Sequence, residues 1–290
     1  MNKGISAIVT AYERIDQTLT TLRVIQSCVP KPDEILVHVD AGQIKCEEAI
    51  RSAFPDVRVL RSNDHVGPGG GRNKLIEAAQ FEFVASFDDD SYPIDSDYFE
   101  RALKLFEKFP GASVLCAAQY HIGESIELDN PRAQWTADFT GGACAYRRKD
   151  FLETGGYVPL PVAYGMEEVD FAIRLHAKGG KVLTSHWLRV FHNTDLQHHA
   201  APVVTAASIA NLALLAYLRY PVSLWGIGLG QCANRLLWLL RHGRRGGILK
   251  GLTMIPAHLR ANRRYRLPLS NRAVRSYLAL RRAPVIVNLL

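Results

Sequence analysis

After Asp195 the chain contains neither Asp nor Glu. Residues 196–290 carry 14 of the 35 Lys and Arg, so the formal charge of +7 divides into a basic tail and a body with 21 basic against 28 acidic residues. Such a split points to an anionic partner for the tail, either lipid or nucleic acid. Cysteine is sparse as well. Cys28, Cys46, Cys116, Cys144 and Cys232 are odd in number and none stand as CxxC, which argues against a zinc knuckle or a disulfide framework and for a reducing compartment. There is no fixed-period repeat, no GxxxxGK[ST] and no GxGxxG, so a solenoid, a P-loop and a dinucleotide fingerprint are set aside. The opening MNKGISAIVTAY is short and alternating, reading as a strand rather than a signal peptide, and a cytoplasmic site is expected.

What is present is ordinary globular material, 290 residues of which 48% are hydrophobic and 22% charged. Apolar runs over 5–12, 34–39, 57–60 and 83–87 read as strands, separated by helical periodicity over 16–28, 44–54, 67–80 and, after the last, 95–109. Strand and helix alternating in this way predict a parallel α/β sheet. Ligands of such sheets sit beyond the carboxyl ends of the strands, and Tyr12, Asp40 and Asp88–Asp90 all fall there. Further on, 113–120 reads as a strand, 121–137 as a polar loop, 139–147 as a strand broken by Gly141-Gly142, 167–178 as a helix, and 182–183 and 188–192 as short strands. Everything from Pro202 reads helical, with Pro221, Pro256 and Pro268 as punctuation.

Four stretches can carry chemistry. SFDDDSYP (86–93) places Asp88, Asp89 and Asp90 in a row, which suits either a solvated capping turn or a site for Mg²⁺ or Mn²⁺ completed by substrate phosphates. An EF-hand is excluded by the missing glycine and glutamate offsets. HVGPGGGRN (65–73) could bring backbone N–H groups to a phosphate, with Arg72 adding charge, or serve as a plain helix lead-in. Glu167-Glu168, with Asp170 close behind, opens a helix, where carboxylates are favoured electrostatically and where one could act as a general base. His192, in VFHN, could be a neutral metal ligand or a structural histidine among His186, His198 and His199.

The order VTAYER, Asp40, GGGRN, FDDDSYP, FTGGACAYRR, GMEEVDFAIRL, VFHN resembles a family 2 glycosyltransferase of the GT-A fold over residues 4–195. The resemblance implies a mixed, mostly parallel sheet flanked by helices in a catalytic domain at 1–198, with a basic C-terminal helical region at 199–290. It implies inverting transfer of a sugar from a nucleoside-diphosphate donor to a hydroxyl of a glycan or lipid-linked acceptor. By the family pattern Thr10, Tyr12 and Asp40 hold the base, with Asp40 accepting from a pyrimidine N–H and so suggesting a UDP- or dTDP-sugar. Arg72 and Asn73 lie near base and diphosphate. Asp88 and Asp90 form the DxD motif, touching ribose and metal, and His192 completes the metal site. Gly141 and Gly142, and with them Asp89 and Trp135, are assigned to the donor-sugar and acceptor side. The base matches Glu168, with Glu in place of the usual Asp, and Glu167 or Asp170 as alternatives.

In the tail, residues 202–218 and 220–234 are uncharged, and RLLWLLRHGRR and RANRRYR follow. Basic residues beside Leu and Trp point to helices lying on an anionic membrane surface; the alternative is a helical subdomain packed on the catalytic core with its charges solvated. No nucleic-acid recognition motif is present, and nucleic acid is not expected as a partner. Two rival functions are a nucleotidyltransferase, disfavoured because VTAYER lacks a basic phosphate-activating motif, and an inactive membrane-associated nucleotide-sugar-binding scaffold, disfavoured by the full set of carboxylates.

Overall fold

The computed structural model describes residues 2–127, 132–162, 164–194 and 201–288. His198 and His199 fall outside them. The first half follows the alternation read in the sequence: β1 (Asn2–Ala11), α1 (Ile15–Ser27), β2 (Glu34–Val39), α2 (Ile44–Ala53), β3 (Arg58–Arg61), α3 (Gly67–Ala78), β4 (Phe81–Asp88), β5 (Ser91–Pro93) and α4 (Tyr98–Lys108). The second half gives β6 (Ala112–His121), β7 (Arg132–Thr136), β8 (Ala143–Arg147), α5 (Arg148–Thr154), α6 (Glu167–Ala177) and β9 (Lys181–His192). The tail supplies α7 (Pro202–Arg219), α8 (Trp225–Arg241), α9 (Ile248–Ala261), α10 (Asn271–Arg282) and β10 (Val285–Asn288).

One sheet runs β10-β7-β9-β6-β8-β4-β1-β2-β3, with β5 paired to β9. β3, β2, β1 and β4 are parallel, β8 is antiparallel to β4 and β6, and β6 is parallel to β9. The sheet is therefore mixed and mostly parallel on its nucleotide side. Alternation along the strands divides the core. Ile8 and Leu36 face α3, α5, α6 and the tail, packing with Leu75, Phe151, Phe171, Leu214 and Tyr277. Ile5, Val9, Val37 and Val39 face α1, α2 and α4, packing with Leu22, Ile50, Phe99 and Phe106.

Three readings of the sequence are corrected here. The segment expected as part of a loop at 121–137 contains β7, which pairs antiparallel with β9 from Ala133↔Ser185 to Thr136↔Val182. The two short strands expected at 182–183 and 188–192 are one strand whose halves have different partners, β7 on the first half and β5 on the second, with a bulge where Ala117↔Ser185 jumps to Ala118↔Arg189. The chain after Pro202 is not all helix: β10 adds to the sheet beside β7, with Val285 opposite Trp135. Its Val-Ile-Val run carries a β-branched signal too short to outweigh the helical stretch before it.

The tail helices pack on the sheet and on α6. Asp170 on α6 is fully buried between Arg174 (Nη2 at 2.8 Å) and Arg219 of α7. Arg219 also donates to the Tyr265 carbonyl at 2.9 Å. Leu214, Leu218, Val274 and Tyr277 share a cluster with β1, β2 and α6 residues.

Candidate active site

Three adjacent carboxylates repel unless each is matched, and here each is. Arg72 pairs with Asp88. Arg14, just past β1, places Nη2 2.7 Å from Asp89 and its Nη1 on Asp90, and His192 Nε2 lies 3.0 Å from the other Asp90 oxygen. The turn is tied in place by Ser91, whose hydroxyl accepts from the Asp88 amide at 2.7 Å and donates to the Gly142 carbonyl at 2.6 Å. Pairing of Ser91 with His192 across β5 and β9 delivers the imidazole to Asp90. Burial opposes ionisation of Asp90, but its bond and charge contact with His192, and Arg14, outweigh it and lower the pKa. Burial likewise opposes charge on His192, and Asp90 raises its pKa regardless. In Asp89 burial wins over Arg14, pushing the carboxyl up to about 7.

Ligand atoms of Asp88, Asp90 and His192 all lie within 4.8 Å of one another. Two carboxylates and an imidazole fit a hard divalent ion such as Mn²⁺ or Mg²⁺ that leaves positions for phosphate oxygens. The Gln119 side-chain amide lies 2.7 Å from His192 Nδ1. With the amide nitrogen towards Nδ1, it donates to an imidazole whose proton is on Nε2. A metal on Nε2 requires the other tautomer, with Nδ1–H donating to the Gln119 oxygen, which a flip of the amide supplies.

The second acidic group lies at the N-terminus of α6. Glu167 is buried, with Oε1 among the buried atoms lacking a hydrogen-bond partner and Oε2 4.0 Å from Arg72 Nη1. Glu168 is partly exposed and accepts from the Gly141 amide at 3.2 Å. Burial raises the pKa of both. In Glu167 the neighbouring Glu168 adds to the rise; in Glu168 Arg72 and backbone N–H groups temper it. Two glycines make room for the carboxylates. A Cβ on Gly69 would fall 1.4 Å from Glu167 Oε1, and one on Gly142 would fall 2.1 Å from an Asp88 oxygen. Arg72, 2% exposed, joins the two groups: Nε donates to the Ser86 hydroxyl at 3.0 Å while the rest of the guanidinium spans Asp88 and Glu167.

The structure thus gathers Thr10, Arg72, Asp88, Asp90, Gly141, Gly142, Glu167, Glu168 and His192. Thr10 donates to Asp88 at 3.4 Å. Tyr12 is 41% exposed, tilted against His65 at 5.0 Å. Asp40 is held by three amides: one oxygen accepts from Ala41 (2.9 Å) and Val66 (3.0 Å), the other from Gly67 (3.0 Å), with His65 Nδ1 2.8 Å from that second oxygen. Through these bonds Asp40 shapes the glycine-rich turn.

Four other expected site residues are engaged within the protein. Asn73 spends both ends of its amide on the Tyr157 backbone, at 2.9 and 2.8 Å, which pins the segment after α5 and leaves no group for a nucleotide. Asp89 is 3% exposed and committed to Arg14 and the Tyr12 amide, so it is closed to a sugar. Asp170 is fully buried between two arginines, away from any acceptor. Trp135 lies opposite Leu183, which together with His192 pairs with residues six apart on β6, Leu115 and His121, about 20 Å along the sheet, and its ring packs on Phe109 and Lys181.

Sequence reasoning missed Arg14, Gln119 and His65. Arg14 stood in VTAYER, three residues beyond the central strand, where a cation facing the end of the adjacent strand could have been inferred. Gln119 has no local signal, because only the pairing of β6 with β9 brings it to His192.

Comparison with solved structures defines the class. The chain resembles GalNAc-T7 with UDP, GalNAc and Mn²⁺ at TM-score 0.59 and 16% identity, covering 76% of this chain and 48% of that one. It resembles S. aureus TarS 1–349 with UDP-GlcNAc at 0.58 and 17%, covering 73% and 65%. It resembles the mannosyltransferase PcManGT from Pyrobaculum calidifontis with GDP-Man and Mn²⁺ at 0.59 and 17%, covering 97% and 87%. The chain spans about half the length of the first of these and less than two thirds of the second. These likenesses establish the glycosyltransferase GT-A fold. The sequence model of glycosyl transferase family 2 matches residues 6–156, and the chain belongs to that family. A second model, described as the N-terminal domain of galactosyltransferase, matches residues 125–199. No curated protein sequence matches the chain.

Proposed function

We propose that this glycosyltransferase moves a sugar from a nucleoside-diphosphate donor to an acceptor hydroxyl with inversion, Glu168 serving as the base. The observation that carries the reading is the meeting of two acidic groups of different character around Arg72: a metal-ready Asp88/Asp90/His192 set and a partly exposed carboxylate with a raised pKa. Asp88, Asp90 and His192 hold Mn²⁺ or Mg²⁺, which when bound neutralises charge on the departing diphosphate. Tyr12 and His65 offer an aromatic surface to the base, and UDP, dTDP and GDP all have rings to stack on it. Glu168 takes the acceptor proton as the hydroxyl attacks the anomeric carbon. Gly141 N–H holds one Glu168 oxygen so that the other faces the acceptor, and Arg72 keeps the base and the diphosphate side in register. Attack on the face opposite the leaving group inverts the anomeric centre.

The acceptor reading is a glycan or lipid-linked hydroxyl at a cytoplasmic membrane surface, within polysaccharide or cell-envelope assembly. Its support is α8. Among the described residues one helix, α7, is long and apolar enough to cross a membrane, but 67% of it is buried inside the protein. α8 buries only Gly228 and Leu239, leaving Leu229 at 72% and Leu237 at 50% exposure beside Arg241. An apolar, basic, exposed helix of that kind suits an interfacial position. Transfer with a panel of nucleotide sugars and Mn²⁺ tests the function, by nucleoside-diphosphate release and the anomeric configuration of the product. Release of pyrophosphate would instead indicate nucleotidyl transfer, and retained configuration would remove the single-displacement mechanism.

A further inference from the structure

The nucleotide site leaves a second concavity unused. A pocket of about 520 Å³, within the size range of ligand sites, opens between the segment ahead of α6 and the tail helices. Arg235, Arg244 and Arg281 line it with Tyr164, Ser208 and Trp238, and among the described residues its lining holds no carboxylate. Arg235 and Arg244 both lie against the Trp238 ring, their guanidinium carbons 4.8 and 5.3 Å from its centroid. Arg235 also reaches the Ser208 hydroxyl at 3.3 Å. Arg281 is oriented by Asp138 at 2.6 Å. Burial, and then the like charge of Arg244 set against a partial gain from Tyr164, lowers the pKa of Arg235. Two guanidiniums converging on one indole set their N–H forks close together, an arrangement that suits the oxygens of one anion.

The pocket is tied to the catalytic base. Asn211 on α7 donates to the carbonyls of Val162 at 2.9 Å and Tyr164 at 3.1 Å, so the tail carries the segment that leads through Gly165 and Met166 into Glu167 and Glu168. Tyr164, in the pocket wall, also feels the charge of Glu168. The segment that leads to the base therefore forms one wall of the pocket, through Tyr164 and Gly165, opposite the tail arginines.

We propose that this pocket is an acceptor subsite for a phosphate or diphosphate group, gripped by Arg235, Arg244 and Arg281, the first two held in place against Trp238, and that it presents the acceptor hydroxyl to Glu168. The proposal rests on the transfer reading above and names its substrate class as a phosphorylated acceptor. Guanidinium forks match phosphate oxygens two at a time, which favours phosphate over a neutral glycan.

The test is calorimetric titration of the full chain with pyrophosphate in the absence of divalent ions, for the wild type and for Arg235→Gln, Arg244→Gln and Asp90→Asn. One site is expected in the wild type and in Asp90→Asn, weakened roughly tenfold or more in each arginine variant. Arginine variants that bind as the wild type does, or a wild type that binds no pyrophosphate, overturn the proposal. Melting temperatures confirm folding, and the two arginine variants are independent of each other. Titration of the same proteins with UDP or GDP and Mn²⁺ separates the two readings. Failure of the wild type there removes sugar transfer while the anion pocket stands; loss in Asp90→Asn alone supports both. Sedimentation with phosphatidate-bearing vesicles then assigns the source. If the arginine variants lose it together with pyrophosphate binding, the anion is a lipid headgroup; if they lose only pyrophosphate binding, it is a soluble phosphorylated acceptor.

Discussion

The two acidic groups of the site are built in opposite ways. Asp88–Asp90 sit at a strand end with a cation for every carboxylate, and in Asp90 these cations outweigh burial and lower the pKa. Glu167 and Glu168 sit at a helix start with one arginine shared at a distance, and burial raises both. Sequence treats the two groups alike, as short acidic runs near element ends. The difference is supplied by what the fold brings across: Arg14 and His192 to one group, Gly69 and Gly141 to the other. A carboxylate kept ionised by cations is suited to exchange them for a metal. A carboxylate kept basic by poor solvation is suited to accept a proton.

The sharpest way to break the comparison is to exchange the roles. Glu168→Gln is expected to lower kcat by ~10²–10⁴-fold, the usual contribution of a general base, while calorimetry with nucleotide and Mn²⁺ stays within about twofold of the wild type. Asp90→Asn is expected to do the reverse in binding, weakening Mn²⁺-dependent nucleotide affinity by about a hundredfold, the upper end of what loss of an outer-shell partner alone produces. If Asp90→Asn binds normally and Glu168→Gln does not, the two groups have been assigned the wrong way round.

A smaller effect concerns the orientation of His192. Gln119→Leu removes the partner of Nδ1 without touching a proposed ligand atom, and should weaken Mn²⁺ affinity roughly tenfold. Gln119→Glu, which keeps an acceptor for Nδ1–H, should restore it. A Gln119→Leu enzyme with unchanged metal affinity would place His192 outside the metal site.

That residue also marks where sequence reading stops. The parallel half was legible because each strand carries its own apolar run and each helix its own period, so Tyr12, Asp40 and Asp88 fell at strand ends by counting. The carboxylates and His192 were legible as residue types in a recognisable order. The partners were not, since Arg14 to Asp89, Gln119 to His192 and Arg219 to Asp170 span 75, 73 and 49 residues and depend on the strand order. For the same reason Trp135 was misplaced: its strand pairs with the far half of β9, which no local pattern discloses. Asp40 and Asn73 show a related limit, since a polar residue beside a ligand loop can as well be the residue that builds the loop.

The pH dependence sharpens the contrast further. Because the pKa of Glu168 is raised, the proposed base is protonated at pH values where an ordinary glutamate is ionised, so the acid limb of kcat should lie above the ordinary glutamate value near 4.5. Activity is lost as pH falls through that limb. Asp90 is shifted the other way, but ligation also needs His192 without its Nε2 proton, and the His192 pKa is raised, so Mn²⁺-dependent binding should weaken as pH falls through the imidazole range. The kcat limb, measured at saturating Mn²⁺ and nucleotide, should lie apart from that binding curve, and the two coinciding would join the groups into one titrating unit.

The mildest prediction concerns stability. Glu167 holds a desolvated carboxylate whose folded-state pKa lies well above its unfolded value, chiefly through burial and then through Glu168. For an acid shifted in that direction the folded state binds the extra proton, so ionisation costs stability as pH rises from the unfolded pKa towards the folded one. Glu167→Gln removes that cost while keeping the shape over Gly69. Against this, Arg72 loses a carboxylate at 4.0 Å but keeps Asp88. The net expectation at neutral pH is a metal-free protein with Tm raised by about 2 °C, corresponding to well under 1 kcal/mol to about 1 kcal/mol for a chain of this size. The gain should shrink towards zero below pH 4.5, where wild-type Glu167 is protonated and resembles Gln. Thermal melts of both proteins across that range check the sign. A variant that melts lower at neutral pH would show that Glu167 is held as a true partner of Arg72, and the contrast between the paired and the unpaired acidic group would then narrow to Glu168 alone.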